Sequence, residues 1–223
     1  VEQTAPTISG TTIATNNSVT VTFSEAVFNT NTGIGLLEAS DISLSISGLE
    51  VTVASTPSGI NMSNNNTVYT LGLSLSGIPK GTETLTIVPS SATAIYDAAG
   101  NPASITQYNN TINLIEKIVP IIASTTIAAD NTTATVTFSE AVFNTNTGSG
   151  QLVKSDLSLS IIGGIATVAA TPLNISINGN EYTLDLDLSG TPNGAETLTI
   201  VPSSATAIYD AAGNAASITQ SNN

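Results

Sequence analysis

The sequence predicts an all-β protein built from two tandem immunoglobulin-like antiparallel β-sandwiches that form an extended rod. Two stretches recur letter for letter, one at residues 21–33 and 136–148 and the other at residues 84–101 and 197–214. The offsets of 115 and 113 residues indicate a duplicated module of ordinary domain size. Each module contains about seven short segments of alternating apolar and polar residues, separated by turn residues, which is typical of β-sandwiches.

The predicted strands share one signature, an alternation of apolar and polar side chains that buries one face of a sheet. It is clearest where Val19, Val21 and Phe23 alternate with threonine. In the opening strand, Pro6 lies near the start, a position that an edge strand tolerates. In chain order, the strands of the first copy are expected at residues 4–15, 19–24, 42–47, 51–54, 69–76, 83–88 and 111–115.

Turn-forming residues separate these strands. Asn16 and Asn17 form the first turn, and the Asn/Thr-rich stretch 28–35 forms the loop between the second and third strands. Residues 36–41 are expected to contain one helical turn, and the asparagine cluster at 61–66 is expected to be a turn. The loop after the sixth strand ends in Tyr-Asp-Ala-Ala-Gly-Asn at residues 96–101.

The duplication divides the chain into repeat 1, residues 1–115, and repeat 2, residues 116–223. The linker between them has no Gly/Ser tract, and Glu116 lies 114 residues after Glu2, so the junction belongs to the repeating unit. A linker of this composition is not a flexible tether, and we expect a short, stiff joint. The first copy continues through residues 111–115 and the second stops short of the equivalent stretch, so we expect repeat 2 to lack its last strand.

Composition excludes several classes of function. The chain has three Lys and Arg against sixteen Asp and Glu, a net charge of −13, so no basic surface for nucleic acid is expected. No apolar run is long enough for a membrane span. Histidine and cysteine are both absent, which rules out a Ser-His-Asp triad, a cysteine nucleophile and thiolate metal sites. The residue types that these catalytic sites need are missing, so we expect a protein that is not an enzyme. We also expect it to be a monomer.

Acidic residues recur in both copies at Glu2/Glu116, Glu25/Glu140, Asp41/Asp156, Glu83/Glu196 and Asp97/Asp210. In a sandwich, all of these except the Glu83 pair are expected at one pole, together with Asn101 and Asn214. Oxygen ligands of this kind suit Ca²⁺. The candidate calcium ligands are Glu2, Glu25, Asp41, Asp97 and Asn101 in repeat 1, and Glu116, Glu140, Asp156, Asp210 and Asn214 in repeat 2. The alternative is that the Asp and Asn residues only bond to nearby backbone amides in turns.

The segments Val-Thr-Phe-Ser-Glu-Ala-Val at residues 21–27 and Tyr-Asp-Ala-Ala-Gly-Asn at residues 96–101 resemble the bacterial Ig-like repeats of very large cell-surface adhesins. That group includes adhesins associated with swimming and gliding motility and S-layer-type Ig-like modules. The resemblance covers nearly all of both copies. It implies an immunoglobulin-like fold, tandem arrays, an extracellular location on the bacterial surface, outer-membrane-attached or secreted, and a spacer or adhesion role. Calcium occurs at the junctions in some such families.

The function expected from these observations is a structural spacer of a repetitive adhesin, with neighbouring repeats of the parent chain as its partners. One alternative is a module that binds a glycan or surface directly through the loops 28–35 and 143–150, where Asn-Thr-Asn-Thr-Gly recurs. Another is an accessory domain of an extracellular enzyme.

Overall fold

The computed structural model describes residues 3–48 and 50–223. The protein is all-β, with several antiparallel sheets, none of which closes into a barrel. It divides into two compact units, residues 1–117 and residues 118–223. In the described part of the chain, no helix is long and apolar enough to cross a membrane.

The described residues of the first unit form nine strands and one 3-10 turn, Ala39–Asp41. The strands are β1 (Ile8–Thr15), β2 (Ser18–Phe23), β3 (Ile42–Ser47), β4 (Thr52–Val53), β5 (Ile60–Ser63), β6 (Val68–Gly72), β7 (Leu75–Ser76), β8 (Thr84–Pro89) and β9 (Thr111–Asn113). They form a four-stranded sheet in the order β1-β2-β6-β5, a three-stranded sheet in the order β3-β8-β9, and the short pair β4-β7.

The second unit repeats this arrangement, except that among the described residues β17 pairs with β12 alone, whereas β8 pairs with both β3 and β9. Its strands are β10 (Ile122–Ile127), β11 (Thr133–Phe138), β12 (Leu157–Ile162), β13 (Thr167–Val168), β14 (Asn174–Asn178), β15 (Glu181–Asp185), β16 (Leu188–Ser189) and β17 (Thr197–Pro202). The sheets are β10-β11-β15-β14, the pair β12-β17 and the short pair β13-β16. A 3-10 turn, Lys154–Asp156, precedes β12.

Each unit has one hydrophobic core to which both main sheets contribute alternate residues, so each is β-sandwich-like. In β2, β6, β3 and β8 the buried side chains are Val19, Val21, Phe23, Tyr69, Leu71, Ile42, Leu44, Leu85, Ile87 and Pro89. The Phe23 and Tyr69 rings meet edge to face with centroids 5.9 Å apart, and Phe138 and Tyr182 do the same at 5.5 Å. The Tyr69 hydroxyl donates to the Val27 carbonyl at 3.2 Å, which anchors the start of the following loop.

The structure differs from the sequence-based strand assignment at one edge of the four-stranded sheet. The predicted turn at residues 61–66 begins as strand β5, which pairs with β6, and only residues 64–67 form a turn. β5 is an edge strand whose side chains are almost all exposed, so it carries no alternation of apolar and polar residues. The predicted strand at 69–76 is divided into β6 and β7, and the opening strand begins at Ile8 rather than at residue 4. The expected helical turn is present as the 3-10 turn before β3.

Candidate functional site

Antiparallel pairing places two long loops at the same end of each unit. β3 pairs with β8 so that Ile42 lies opposite Pro89, and the connections that enter β3 and leave β8 therefore start side by side. The backbone N–H of Phe28 donates to the Tyr96 carbonyl, and the N–H of Tyr96 donates back to Phe28, both at 2.8 Å. In the second unit, Phe143 and Tyr209 make the same two bonds. The two stretches that recur letter for letter are thus bonded to each other. We call their loop parts the paired loops: residues 28–35 and 96–101 in the first unit, and residues 143–150 and 209–214 in the second.

Glycines allow the paired loops to approach closely. A Cβ on Gly33 would lie 2.8 Å from the Ala98 carbonyl oxygen, and a Cβ on Gly100 would lie 2.6 Å from the Asn31 carbonyl oxygen. Both glycines have positive φ, +68° and +88°, which side chains disfavour. Only glycine meets both requirements, so the identity of the glycines between copies has a packing cause.

Asp97 closes the second of the paired loops in the first unit. Its Oδ1 accepts the backbone N–H groups of Ala99 and Asn101, each at 2.8 Å, and its Oδ2 accepts the side-chain Nδ2 of Asn101 at 2.7 Å. The residue is buried, 1% exposed. Burial is the largest single influence and raises the pKa of Asp97, but the bonds from Asn101, Ala99 and Gly100 together hold that pKa below its ordinary value. The carboxylate is therefore charged at neutral pH with backbone and amide donors around it.

Asp210 makes the same set of bonds in the second unit and is also 1% exposed. Ala212 and Asn214 donate backbone N–H groups to its Oδ1 at 2.8 Å, and Asn214 Nδ2 donates to Oδ2 at 2.8 Å. The same Nδ2 lies 3.3 Å from the Ile118 carbonyl oxygen. The Asp210 loop is therefore tied to the segment that leads into the second unit.

The third recurring carboxylate has a local role. Asp41 Oδ2 accepts the backbone N–H of Glu38 at 2.7 Å, and Asp156 Oδ2 accepts that of Val153 at 2.8 Å, so each closes the 3-10 turn before its strand. The pKa of Asp41 is raised, chiefly by burial. The hydrogen bond from the Glu38 backbone lowers this pKa, and the negative charge of the Glu38 side chain raises it further.

The structure brings each predicted Asp together with its own turn rather than with the other carboxylates. Within residues 3–48 and 50–223, no three acidic side chains gather closely enough to hold a metal ion. Glu25, Glu116 and Glu140 each take part in at least one polar or electrostatic interaction. Glu2 lies outside the described residues. Asp41, Asp97 and their counterparts make the backbone bonds that turn formation requires, and calcium binding stays a prediction.

Sequence reasoning missed the role of the fifth recurring acid, Glu83 and its counterpart Glu196, at the opposite end of each unit. Glu196 Oε1 accepts N–H groups from Ile165 and Ala166 at 3.0 and 3.2 Å, and Oε2 accepts those of Asn193 and Gly194 at 3.0 Å. The bond from Ile165 is the largest of the effects that lower the pKa of Glu196 to about 2. The recurrence of this glutamate in both copies marked the position in the sequence. It could not identify the hydrogen-bond partner, because Ile165 lies 31 residues away.

The polar side chains of the first paired loop bond mainly to the same loop. Thr145 Oγ1 lies 2.9 Å from Thr147 Oγ1 and 2.5 Å from the Ser149 carbonyl oxygen, and Thr147 Oγ1 lies 2.9 Å from Ser149 Oγ. In the first unit, Thr30 makes the equivalent contacts with Thr32 and Ile34. The hydroxyl groups that the direct-binding alternative would use therefore already stabilise the loop conformation.

Comparison with known proteins found no matching family model and no matching curated protein. Similar solved structures include the N-terminal part of the bacterial S-layer protein SbsC, at 17% identity and a TM-score of 0.39. They also include the S-layer protein rSbsC, at 18% identity and 0.37, and domains 1-6 of surface layer protein SbsC, at 18% and 0.38. The matches cover 89% of this chain but 44%, 26% and 26% of those chains, so this chain spans less than half their length. At TM-scores below 0.5 the similarity carries no argument about fold or function.

Proposed function

We propose that this chain is a pair of immunoglobulin-like repeats that serve as a non-enzymatic spacer in a repetitive adhesin on the bacterial cell surface. In this role the repeats hold a binding region away from the cell and support adhesion or surface motility. Their partners are the neighbouring repeats of the same parent protein. A row of such units gains stability from each unit and from the contacts between neighbours.

The strand order supports the immunoglobulin-like part of the proposal. The order β1-β2-β6-β5 on one sheet and β3-β8-β9 on the other matches the A-B-E-D and C-F-G order of constant-type immunoglobulin domains. The second unit has the same four-stranded order, β10-β11-β15-β14.

The observation that carries the spacer role is the use of the recurring residues. The stretches identical in both copies are bonded to each other within each unit, through Phe28 and Tyr96 and through Phe143 and Tyr209. The recurring Asp97 and Asp210 carboxylates bind N–H groups of their own loops. Identity between the copies is therefore explained by the needs of one repeated fold, as expected for units whose job is mechanical.

Small-angle X-ray scattering and a surface-adsorption assay test the proposal together. A spacer rod predicts an elongated particle and no retention of the isolated chain on glass, polystyrene or a glycan array. A compact particle would refute the rod. Specific retention on one of these surfaces would favour the alternative in which the paired loops bind a ligand directly. For that alternative, substitution of Thr145 and Thr147 by Val should abolish retention, while the same change at the exposed Thr171 should not.

A further inference from the structure

One hairpin differs in length between the two units. The recurring stretches lie at offsets of 115 and 113 residues, so the second copy lacks two residues between them. The strand registers place this difference, because β5 and β14 correspond at the larger offset and β6 and β15 at the smaller. The turn between these strands is residues 64–67 in the first unit and residues 179–180 in the second.

The longer turn of the first unit reaches the segment that leads into loop 28–35. There the backbone N–H of Val27 donates to the carbonyl of Asn66 at 3.0 Å. Val27 is fully buried at 0% exposure, and Ala26 beside it is partly buried. The turn therefore covers this stretch of backbone and supplies the acceptor for its N–H group.

Val142 in the second unit corresponds to Val27 and is held in the same way at its carbonyl. The Tyr69 hydroxyl donates to the Val27 carbonyl at 3.2 Å. The Tyr182 hydroxyl donates to the Val142 carbonyl at 3.3 Å. The N–H groups differ, because among the described residues no acceptor bonds to that of Val142. Val142 is only 4% exposed, and buried backbone N–H groups are nearly always paired, so this donor is available to an acceptor from outside the chain.

The shorter hairpin leaves a pocket beside this donor. The pocket has a volume of about 210 Å³ and lies between loop 143–150 and the β14–β15 hairpin. Val142, Phe143, Ile177 and Tyr182 contribute to its lining, with Ala141 exposed at its edge. It is smaller than the pockets of drug-sized ligands, which begin at ~300 Å³, so it suits a single small group.

We propose that this pocket binds a secondary amide of the kind that a peptide bond carries, with the Val142 N–H donating to the amide carbonyl. The first unit supports this choice of ligand, because a peptide carbonyl, that of Asn66, bonds to the corresponding N–H there. Phe143 and Ile177 would contact the apolar groups beside the amide, and the side-chain oxygen of Gln151, which also lines the pocket, can accept the amide N–H. This inference goes beyond the spacer role and does not depend on it.

The test is a titration of the full 223-residue chain with N-acetyl-asparagine N′-methylamide, followed by amide NMR. We expect a saturable shift of the Val142 amide at millimolar concentrations and none of the Val27 amide, which is already bonded. Before the ligand is added, the Val142 amide should exchange with solvent deuterium faster than that of Val27. N-acetylglucosamine carries the same amide on a sugar, and we expect weaker binding because its hydroxyl groups would lose water beside an apolar lining.

Two protein variants separate binding from folding. Replacing residues 178–181 by residues 63–68 restores the longer turn, so the Val142 amide should gain the protection of Val27 and no longer respond to the ligand. Ala141→Leu, at an exposed position of the lining, should abolish the response by filling the pocket, whereas Ala129→Leu, exposed and outside the pocket, should not.

Three outcomes would overturn the proposal. The absence of a saturable shift would mean that water alone satisfies the Val142 N–H. An unchanged response in Ala141→Leu would place binding elsewhere. Tighter binding of N-acetylglucosamine than of the blocked asparagine would rule out a peptide as the source of the amide.

Discussion

One buried carboxylate in each unit holds the loop that follows it: Asp97 holds residues 97–101, and Asp210 holds residues 210–214. Asp210 gathers two backbone N–H groups and one side-chain amide within 2.8 Å, as Asp97 does within the same distance. These bonds are partly buried, and donors that lose a partly buried acceptor cost free energy because water replaces that acceptor only in part. At the scale of the residue, these aspartates are therefore sensitive positions of the paired loops.

We predict that Asp210→Ala lowers the free energy of unfolding of the second unit by about 1–3 kcal/mol, because it strands these donors. Asp97→Ala should do the same to the first unit. The matched control is Asp187→Ala at an exposed position in the second unit, with an expected change within about 0.5 kcal/mol. Urea unfolding measures both, and equal effects at Asp210 and Asp187 would contradict the assigned role.

Glu196 makes a pH-dependent contribution to stability. Its pKa falls from an ordinary 4.5 to about 2 in the folded state, chiefly through the bond from Ile165. Because the folded state binds the proton less tightly, the contribution is complete above pH 4.5 and is lost as the pH falls towards about 2. Urea midpoints measured from pH 6 to 2 should decline more steeply for the native protein than for Glu196→Gln. Parallel profiles would show that the carboxylate does not stabilise the fold.

At the scale of the element, the paired loops depend on close backbone approach. We predict that Gly100→Ala destabilises the first unit by about 1–3 kcal/mol, since the new Cβ would lie 2.6 Å from the Asn31 carbonyl oxygen at a residue with a φ of +88°. Gly10→Ala in β1 is the control, because an added Cβ there meets nothing within 4 Å. Thermal unfolding should show no loss, or a slight gain, for the control. A tolerated Gly100→Ala would mean that the two loops can separate without cost.

Calcium binding at the paired-loop end is a prediction from the sequence. If the candidate ligands bind Ca²⁺, millimolar Ca²⁺ raises the unfolding temperature and EDTA lowers it, because a ligand that binds only the folded state stabilises it. Glu140→Gln should then remove the shift in the second unit. An unchanged melt would assign Asp41, Asp97 and their counterparts to turn formation alone.

At the scale of the whole molecule, the chain divides into two compact units, and each has a hydrophobic core of its own. We predict two calorimetric transitions, one for each unit. Leu114, which is 3% exposed in the core of the first unit, is the position that tests this. Leu114→Ala should lower the free energy of unfolding of the first unit by about 2–5 kcal/mol, as expected for a large-to-small change in a core. Only one of the two transitions should move. A single transition, or movement of both, would contradict this assignment.

Periodicity in the sequence was enough to predict the buried strands. Val19, Val21 and Phe23 alternate with threonine, and so do Leu85 and Ile87, because one face of each strand must be apolar to form the core. β5 left no such pattern because an edge strand with exposed side chains is held by backbone bonds to β6, which any residue can make. The split between β6 and β7 left no signal because Leu71, Leu73 and Leu75 keep the alternation while the pairing changes from β2 to β4.

The duplication, the all-β class and the recurring carboxylates could be read from the residues, since repeat identity and alternation are properties of the chain. The hydrogen-bond partners of those carboxylates could not be predicted from the sequence. Asp97 and Asp210 bond to residues within five positions of themselves, as is usual in turns. Glu196 instead accepts from Ile165, 31 residues away, and Phe28 bonds to Tyr96. Strand pairing brings these distant segments together. The contacts between the two recurring stretches arise from packing in three dimensions, where burial and hydrogen bonding depend on neighbours that are remote in the chain.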